Sequence, residues 1–251
     1  MTSKLIQVRL PDLGRKPHGC PEEALRSWAR LQATHKSVKG LFDTLNQLRQ
    51  QGDPRGAISE SQRDLARAAI AFTSAGVDAS LRTLLRDTLP TLLAVDGAAH
   101  NAFVGHFYDK RLQSAPTQAT KQAIVALDPR AALIELYVAD LTAASIQGAK
   151  DLIAVRKALG VRGEQVSDQV LKDQQPFFNA RQEVVHELDL VDPSGKGTRS
   201  RRHRDIEAVG AQCGQVLLLV SEFVTLTATA VKSAALTAAR SVDGVPVRNA
   251  S

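Results

Sequence analysis

Cysteine is almost missing from this chain of 251 residues, which has only Cys20 and Cys213. They fall on what read as a loop and a buried helix face, so a disulfide framework is excluded and two reduced thiols are expected. Aromatic residues are equally scarce at 4%, while alanine and leucine are abundant. Strand faces want β-branched and aromatic side chains, so this bias disfavours a sandwich and favours close-packed helices. Long apolar runs are lacking as well. Met1 to Lys4 lead into alternating Ile6, Val8 and Leu10 and then Pro11, not into the continuous apolar stretch of a signal peptide. The greasiest segment, Gln215 to Val231, is broken by Glu222 and by several Ser and Thr. It reads as a buried helix with no membrane span, and a cytoplasmic protein is expected.

Chemical motifs are sparse in the same way. No H-E-x-x-H, paired CxxC, Walker loop, Rossmann glycine fingerprint or G-x-S-x-G elbow occurs. His100 and His106, six residues apart, stand about 240° from each other around a helix and make a poor metal pair. Metals and nucleotide cofactors are therefore not implied.

What the chain does have is positive charge and helical periodicity. Lys plus Arg is 32 against 26 for Asp plus Glu, a net charge of +6 with an isoelectric point near 9.5, which biases the surface towards polyanions. An extended arm over residues 1–20 precedes a helix from Pro21, signalled by Leu25, Trp28, Leu31, Val38, Phe42 and Leu45. That helix suits either a bundle member or the seam of a two-helix dimer. A second helix is predicted from about Ser61 until Pro90 interrupts it. Others follow over Ala98 to Leu112, Thr117 to Leu127, Pro129 to Ala139 with Asp128 as cap, and Ile146 to Leu159 with Ser145 as cap and Gly160 as stop. A last long helix carries the wide stripe Ile206, Val209, Cys213, Val216, Val220 and Phe223. Residues 241–251 read as a frayed tail. The sum is an all-α, up-and-down helical bundle in which the helix around residue 181 and the last helix form a hairpin.

The stretch that carries chemistry runs from Phe177 to Leu190. Pro176 suits a first helical turn, and Phe177, Val184, Val185 and Leu188 recur at packing offsets. Arg181 and His186 lie about 140° apart around the axis, whereas Gln182 and His186 stack on one face. On an ideal helix the first pair does not close on one small ligand. Two copies of the helix, or a long ligand, would solve that geometry. His186 titrates near neutral pH and can move a proton, or it is a surface histidine among Glu183, Glu187 and Asp189, whose charges favour its protonated form. Arg181 can grip a phosphate with its planar fork, or pair with Glu183 or Glu187. Arg199, Arg201, Arg202 and Arg204 form a cluster that suits salt-dependent, sequence-indifferent phosphate contacts. The same cluster could equally be a charged loop that pairs with the acidic patch.

Arg181-Gln182-Glu183-Val184-Val185-His186 resembles the mark of the HEPN superfamily: an arginine, a polar residue, and a histidine four to six positions after the arginine. The resemblance extends to Ala75 through Asp87 on an earlier helix and to the basic run Thr198 to Asp205, and is similar in layout to the bacterial RiboL-PSP-HEPN group over about residues 60 to 240. It implies a HEPN-type bundle over residues 59–240, with the helix of 21–58 as an N-terminal extension. It also implies a homodimer whose two motifs line a cleft where RNA is cut without metal by its own 2′-hydroxyl, leaving 2′,3′-cyclic phosphate ends. In that scheme Arg181 and His186 are catalytic, Gln182, Glu183 and Glu187 support them, and Arg199, Arg201, Arg202 and Arg204 hold RNA, in a toxin–antitoxin or anti-phage setting. In that setting an antitoxin is one candidate partner. The alternative is a non-catalytic HEPN-like module that binds RNA or protein, and a second alternative is a regulatory subunit for a nucleotidyltransferase-like partner. Gln182 in place of a shorter polar residue favours the non-catalytic module.

Overall fold

The computed structural model describes residues 7–52, 57–95, 97–113, 115–194 and 200–242. Among them the fold is all-helical, with no named strand and one isolated bridge between Leu190 and Arg201. The α-helices are α1 (Glu22–Gln51), α2 (Glu60–Leu92), α3 (Ala98–Phe107), α4 (Gln118–Ile124), α5 (Pro129–Thr142), α6 (Ala149–Leu159), α7 (Asp168–Lys172), α8 (Gln175–Glu187) and α9 (Ile206–Val242).

Helix α2 is the hub, touching α1, α9, α8, α6 and α5. Its start is fixed by a reciprocal cap in which Ser59 Oγ accepts from the Gln62 N–H while the Gln62 side chain accepts from the Ser59 N–H. Pro90 does not end it, contrary to the sequence expectation. The ring sits in the last turn on an exposed side, where water can serve the Arg86 carbonyl that proline leaves without a donor. Antiparallel pairing with α1 is fixed by Ser27 Oγ donating to the Ser80 carbonyl at 2.9 Å and by Arg26 facing Asp87 at 3.4 Å. Trp28, Leu31, Phe42 and Leu45 of α1 are buried in the same apolar cluster as Ile70, Leu81 and Leu84 of α2 and Val216, Val220 and Phe223 of α9. Of the two roles open to α1, the bundle member is the one observed.

The closest approach in this hairpin is at Gly76. A Cβ there would come within 2.0 Å of Thr34 Oγ1, so the helices could not stay at this distance. Gly76→Ala would improve helix propensity by about 1 kcal/mol on a free helix. Here overpacking is expected to reverse the sign and cost about 1–3 kcal/mol, which urea denaturation of the variant will read directly.

The arm uses the same device. Residues 7–20 run along α9 in its own direction, with Val8 against Gly210 and Pro11 against Gly214, where added Cβ atoms would lie 2.2 Å and 2.6 Å from them. Asn46 pairs with the arm as a strand neighbour would: its Oδ1 accepts from the Val8 N–H at 3.0 Å and its Nδ2 donates to the Val8 carbonyl at 2.8 Å. Ile206–Thr237 of α9 is long and apolar enough to cross a membrane, with a mean hydropathy of 1.6 over an 18-residue window, but 61% of that window is buried in the bundle.

Smaller elements follow their signals with two differences. Asp128 caps α5 through the Ala131 N–H. Gly160, at φ 66°, stops α6 in the left-handed region. Gly148, not Ser145, is the cap of α6, and Asp151 reaches back to accept from the Gln147 N–H at 2.8 Å. Helix α8 packs mainly on α2, not on α9, so the expected α8–α9 hairpin is a loose one.

Candidate functional site

Helix α8 is anchored at its start and released at its end. Pro176 lies in its first turn, and Phe177 and Phe178, buried with their rings edge to face at 5.3 Å, plug it into the core. Gln175 ties it to α6 by accepting from the Ala149 N–H at 3.1 Å. The last turn rises out of the core. Val185 is exposed, and so is Leu188 at 66%, so neither joins the packed face expected from their spacing. The helix ends at Glu187 because Leu188 and Asp189 take φ values of 52° and 59°. A leucine in the left-handed region is strained by roughly 1–2 kcal/mol. Leu188→Gly is therefore expected to raise stability by about 0.5–1 kcal/mol after the entropy of glycine is subtracted, measurable as a higher melting temperature.

In this released turn Arg181 and His186 meet. An Arg181 guanidinium N–H lies 2.9 Å from His186 Nε2, and the same nitrogen donates to Gln147 Oε1 at 3.3 Å. This corrects the expectation from the helix angle: the long arginine side chain spans the arc that separates the two backbone positions. A guanidinium only donates, so Nε2 is the acceptor in this contact. Arg181 and Val185 also line a cavity of about 370 Å³ with Ala75 and Asp78 of α2 and with Ser145 to Gln147 before α6. Two of the three segments that carry the HEPN resemblance thus line one cavity. Asp78 is held there by the Ile146 N–H at 2.8 Å and by Arg82 at 3.5 Å. Gln182 is exposed on the far side of the turn.

The carboxylates expected around His186 are engaged elsewhere. Glu183 receives Arg204 at 2.7 Å and Glu187 receives Arg202 at 3.1 Å. Asp189 is fully buried, and it accepts from Arg67 Nε at 2.7 Å and from Arg204 Nε at 3.0 Å. Arg67 was not evident from the sequence: it lies 122 residues from its partner, and no local pattern marks it. Burial works against the charged forms of Arg67 and Arg204, yet the hydrogen bonds they donate to their carboxylates outweigh it and hold both above the ordinary guanidinium range. Arg201 reaches back to α2, to Glu60 and Asp64. The hydrogen bond from Arg67 and the nearby guanidinium groups hold the Glu60 carboxyl below its usual range.

Arg201, Arg202 and Arg204 therefore fasten the loop before α9 onto α2 and α8, the pairing that the sequence left open beside phosphate contact. Two backbone bonds flank this clasp, Val191 N–H to Ser200 O and Arg202 N–H to Asp189 O. Arg199 lies outside the described residues.

A second node missed in the sequence joins His106 Nε2 to Asp140 Oδ2 at 2.9 Å, with Arg111 on the same carboxylate. Residues Tyr108–Leu112 wind as a π-helix that carries Arg111 there. Burial would raise the Asp140 carboxyl, but the bonds from Arg111 and His106 outweigh it and hold it low. Among the described residues no three His, Cys, Asp or Glu side chains are grouped to hold a metal ion. What the Arg181–His186 pair can do rests on its own geometry, since no family model, no curated protein and no solved structure matches the chain.

Proposed function

We propose that this protein is a HEPN-like, metal-independent endoribonuclease that acts as a homodimer in the cytoplasm. The observation that carries this reading is the exposed contact between Arg181 and His186 Nε2 at 2.9 Å. It places a fixed positive charge beside an imidazole nitrogen, the two groups that RNA transesterification asks for. As substrate enters, the Arg181 fork turns from Nε2 to the phosphate and stabilises charge as the phosphorane forms. Nε2 then takes the proton of the 2′-hydroxyl as its oxygen bonds to phosphorus. The bond to the 5′ oxygen breaks, and the matching histidine of a second copy, entering the step as imidazolium, gives that oxygen a proton, so that one proton is taken up and one released. The products are a 2′,3′-cyclic phosphate and a 5′-hydroxyl end. Glu183 and Glu187 support the site by holding the clasp that ends α8.

The test is end-labelled RNA incubated with the protein in EDTA, with His186→Ala beside it. Cleavage to cyclic-phosphate ends by the unaltered protein alone is the expected result. Intact RNA with a folded dimer would overturn it.

A second reading has its own observation. Val185, Leu188 and Val191 are all exposed around the end of α8, a patch that suits a protein surface. It serves the second copy in the nuclease reading. In a non-catalytic HEPN-like module it would serve a protein partner, and in a regulatory subunit a nucleotidyltransferase-like one, which would then co-purify with the chain.

A further inference from the structure

The arginine cluster before α9 is the obvious place to seat RNA, yet Arg201, Arg202 and Arg204 are already paired with Glu60, Asp64, Glu183, Glu187 and Asp189. Phosphates there would have to displace carboxylates already in place. Another set of cations carries no such pairing. Lys150, Lys157 and Arg162 are exposed and make no ion pair or side-chain hydrogen bond with another described residue.

Their placement is ordered. Gln147, which receives the Arg181 hydrogen bond, stands just before α6. Lys150 and Lys157 are seven residues apart on that helix, hence on one face about 10 Å from each other, and the residue between them on this face is the small, exposed Ala154. Beyond the Gly160 turn, Lys157 and Arg162 open on a cavity of about 520 Å³. The acidic groups of this stretch do not cancel the line. Asp151 accepts from the Gln147 N–H, Asp168 is exposed but paired with Arg156 at 2.5 Å, and Glu164 is the one that stands in solvent without an ion pair among the described residues.

We propose that the exposed face of α6, from Gln147 to Arg162, carries the phosphodiester backbone of a single-stranded RNA from the Arg181–His186 pair to the basic cavity at the far end of the helix. This rests on the nuclease reading for the choice of RNA. A track one helix wide and about 15 Å long fits one backbone, not the two of a duplex. Lysines act on it as point charges that accept any sequence. No existing ion pair has to break, which separates this face from the arginine cluster.

The experiment measures anisotropy of a fluorescein-labelled 20-nucleotide 2′-O-methyl RNA, which has no 2′-hydroxyl to attack, so that binding is read apart from cleavage. Lys150→Gln/Lys157→Gln/Arg162→Gln is expected to weaken binding at least tenfold and to flatten the salt slope by about two, at roughly 0.7 for each phosphate that is no longer neutralised. Arg201→Gln/Arg202→Gln is expected to change it less than twofold. Circular dichroism of each variant checks the fold. Unchanged affinity in the triple variant, a comparable loss in the arginine variant, or no binding by the unaltered protein would overturn the track. The two proposals fail separately. Intact cleavable RNA together with a binding loss in the triple variant removes the nuclease and keeps the track, while cleavage with an unaltered KM in the triple variant does the reverse.

Discussion

Asp189→Ala is expected to cost about 3–5 kcal/mol of folding stability, the loss that follows when one member of a buried ion pair is removed and the other stays. Asp189 is fully buried and holds two guanidinium groups at once, Arg67 at 2.7 Å and Arg204 at 3.0 Å. Deleting it leaves Arg67 with only Glu60 and Asp64, and Arg204 with only Glu183, as ion-pair partners, and opens a gap where a fully buried carboxylate had joined the two. The residue also sits at φ 59°, a conformation aspartate tolerates better than alanine, so backbone and charge act in the same direction. Asp189→Asn keeps a carbonyl acceptor and should lose less. Arg201→Ala, which removes a partly exposed pair to Glu60 and Asp64, should cost below about 1 kcal/mol. Urea unfolding followed by circular dichroism orders the three variants. An Asp189→Ala protein within about 1 kcal/mol of the unaltered chain would show that the clasp adds little to the bundle.

The second large effect is catalytic. His186→Ala is expected to lower single-turnover RNA cleavage by about 100- to 10,000-fold, the range of a proton-transferring side chain, while leaving the melting temperature in place because His186 is exposed. Arg181→Lys should lose about 100-fold, since a lysine keeps the charge but not the fork that grips two phosphate oxygens. It would also no longer hold the imidazole as Arg181 does through Nε2 and Gln147. A rate within about tenfold of the unaltered protein for His186→Ala would remove the histidine from the chemistry.

Where one residue's conformation or a nearby cap decides the outcome, the structure was legible in the sequence. Asp128 and Pro129 open α5, Gly160 closes α6, and the stripe from Ile206 to Phe223 is buried as its period requires. Legibility failed where distance along the chain or side-chain reach decided. The Arg67–Asp189 pair joins α2 to a loop more than a hundred residues later, and nothing local announces it. Helical angles placed Arg181 and His186 apart because they count backbone positions, whereas a long, flexible side chain at an exposed last turn closes the gap. Leu188 had the spacing of a core residue, but the helix had already turned left-handed beneath it. Ser145 has the chemistry of a cap, yet Asp151 reached back instead, and Gly148 took the position.

The glycine seats on α9 set an order of events during synthesis. Val8 and Pro11 leave the ribosome about two hundred residues before Gly210 and Gly214, the seats they occupy. Ser221 Oγ likewise donates to the Leu13 carbonyl across 208 residues. The α1–α2 hairpin is free to pair as soon as it emerges, but its apolar side stays uncovered until α9 arrives. The nascent chain therefore carries an open flank while the residues between α2 and α9 are made, a state that invites chaperone binding and aggregation. Folding finishes in one late, long-range closure, slow by the measure of contact order.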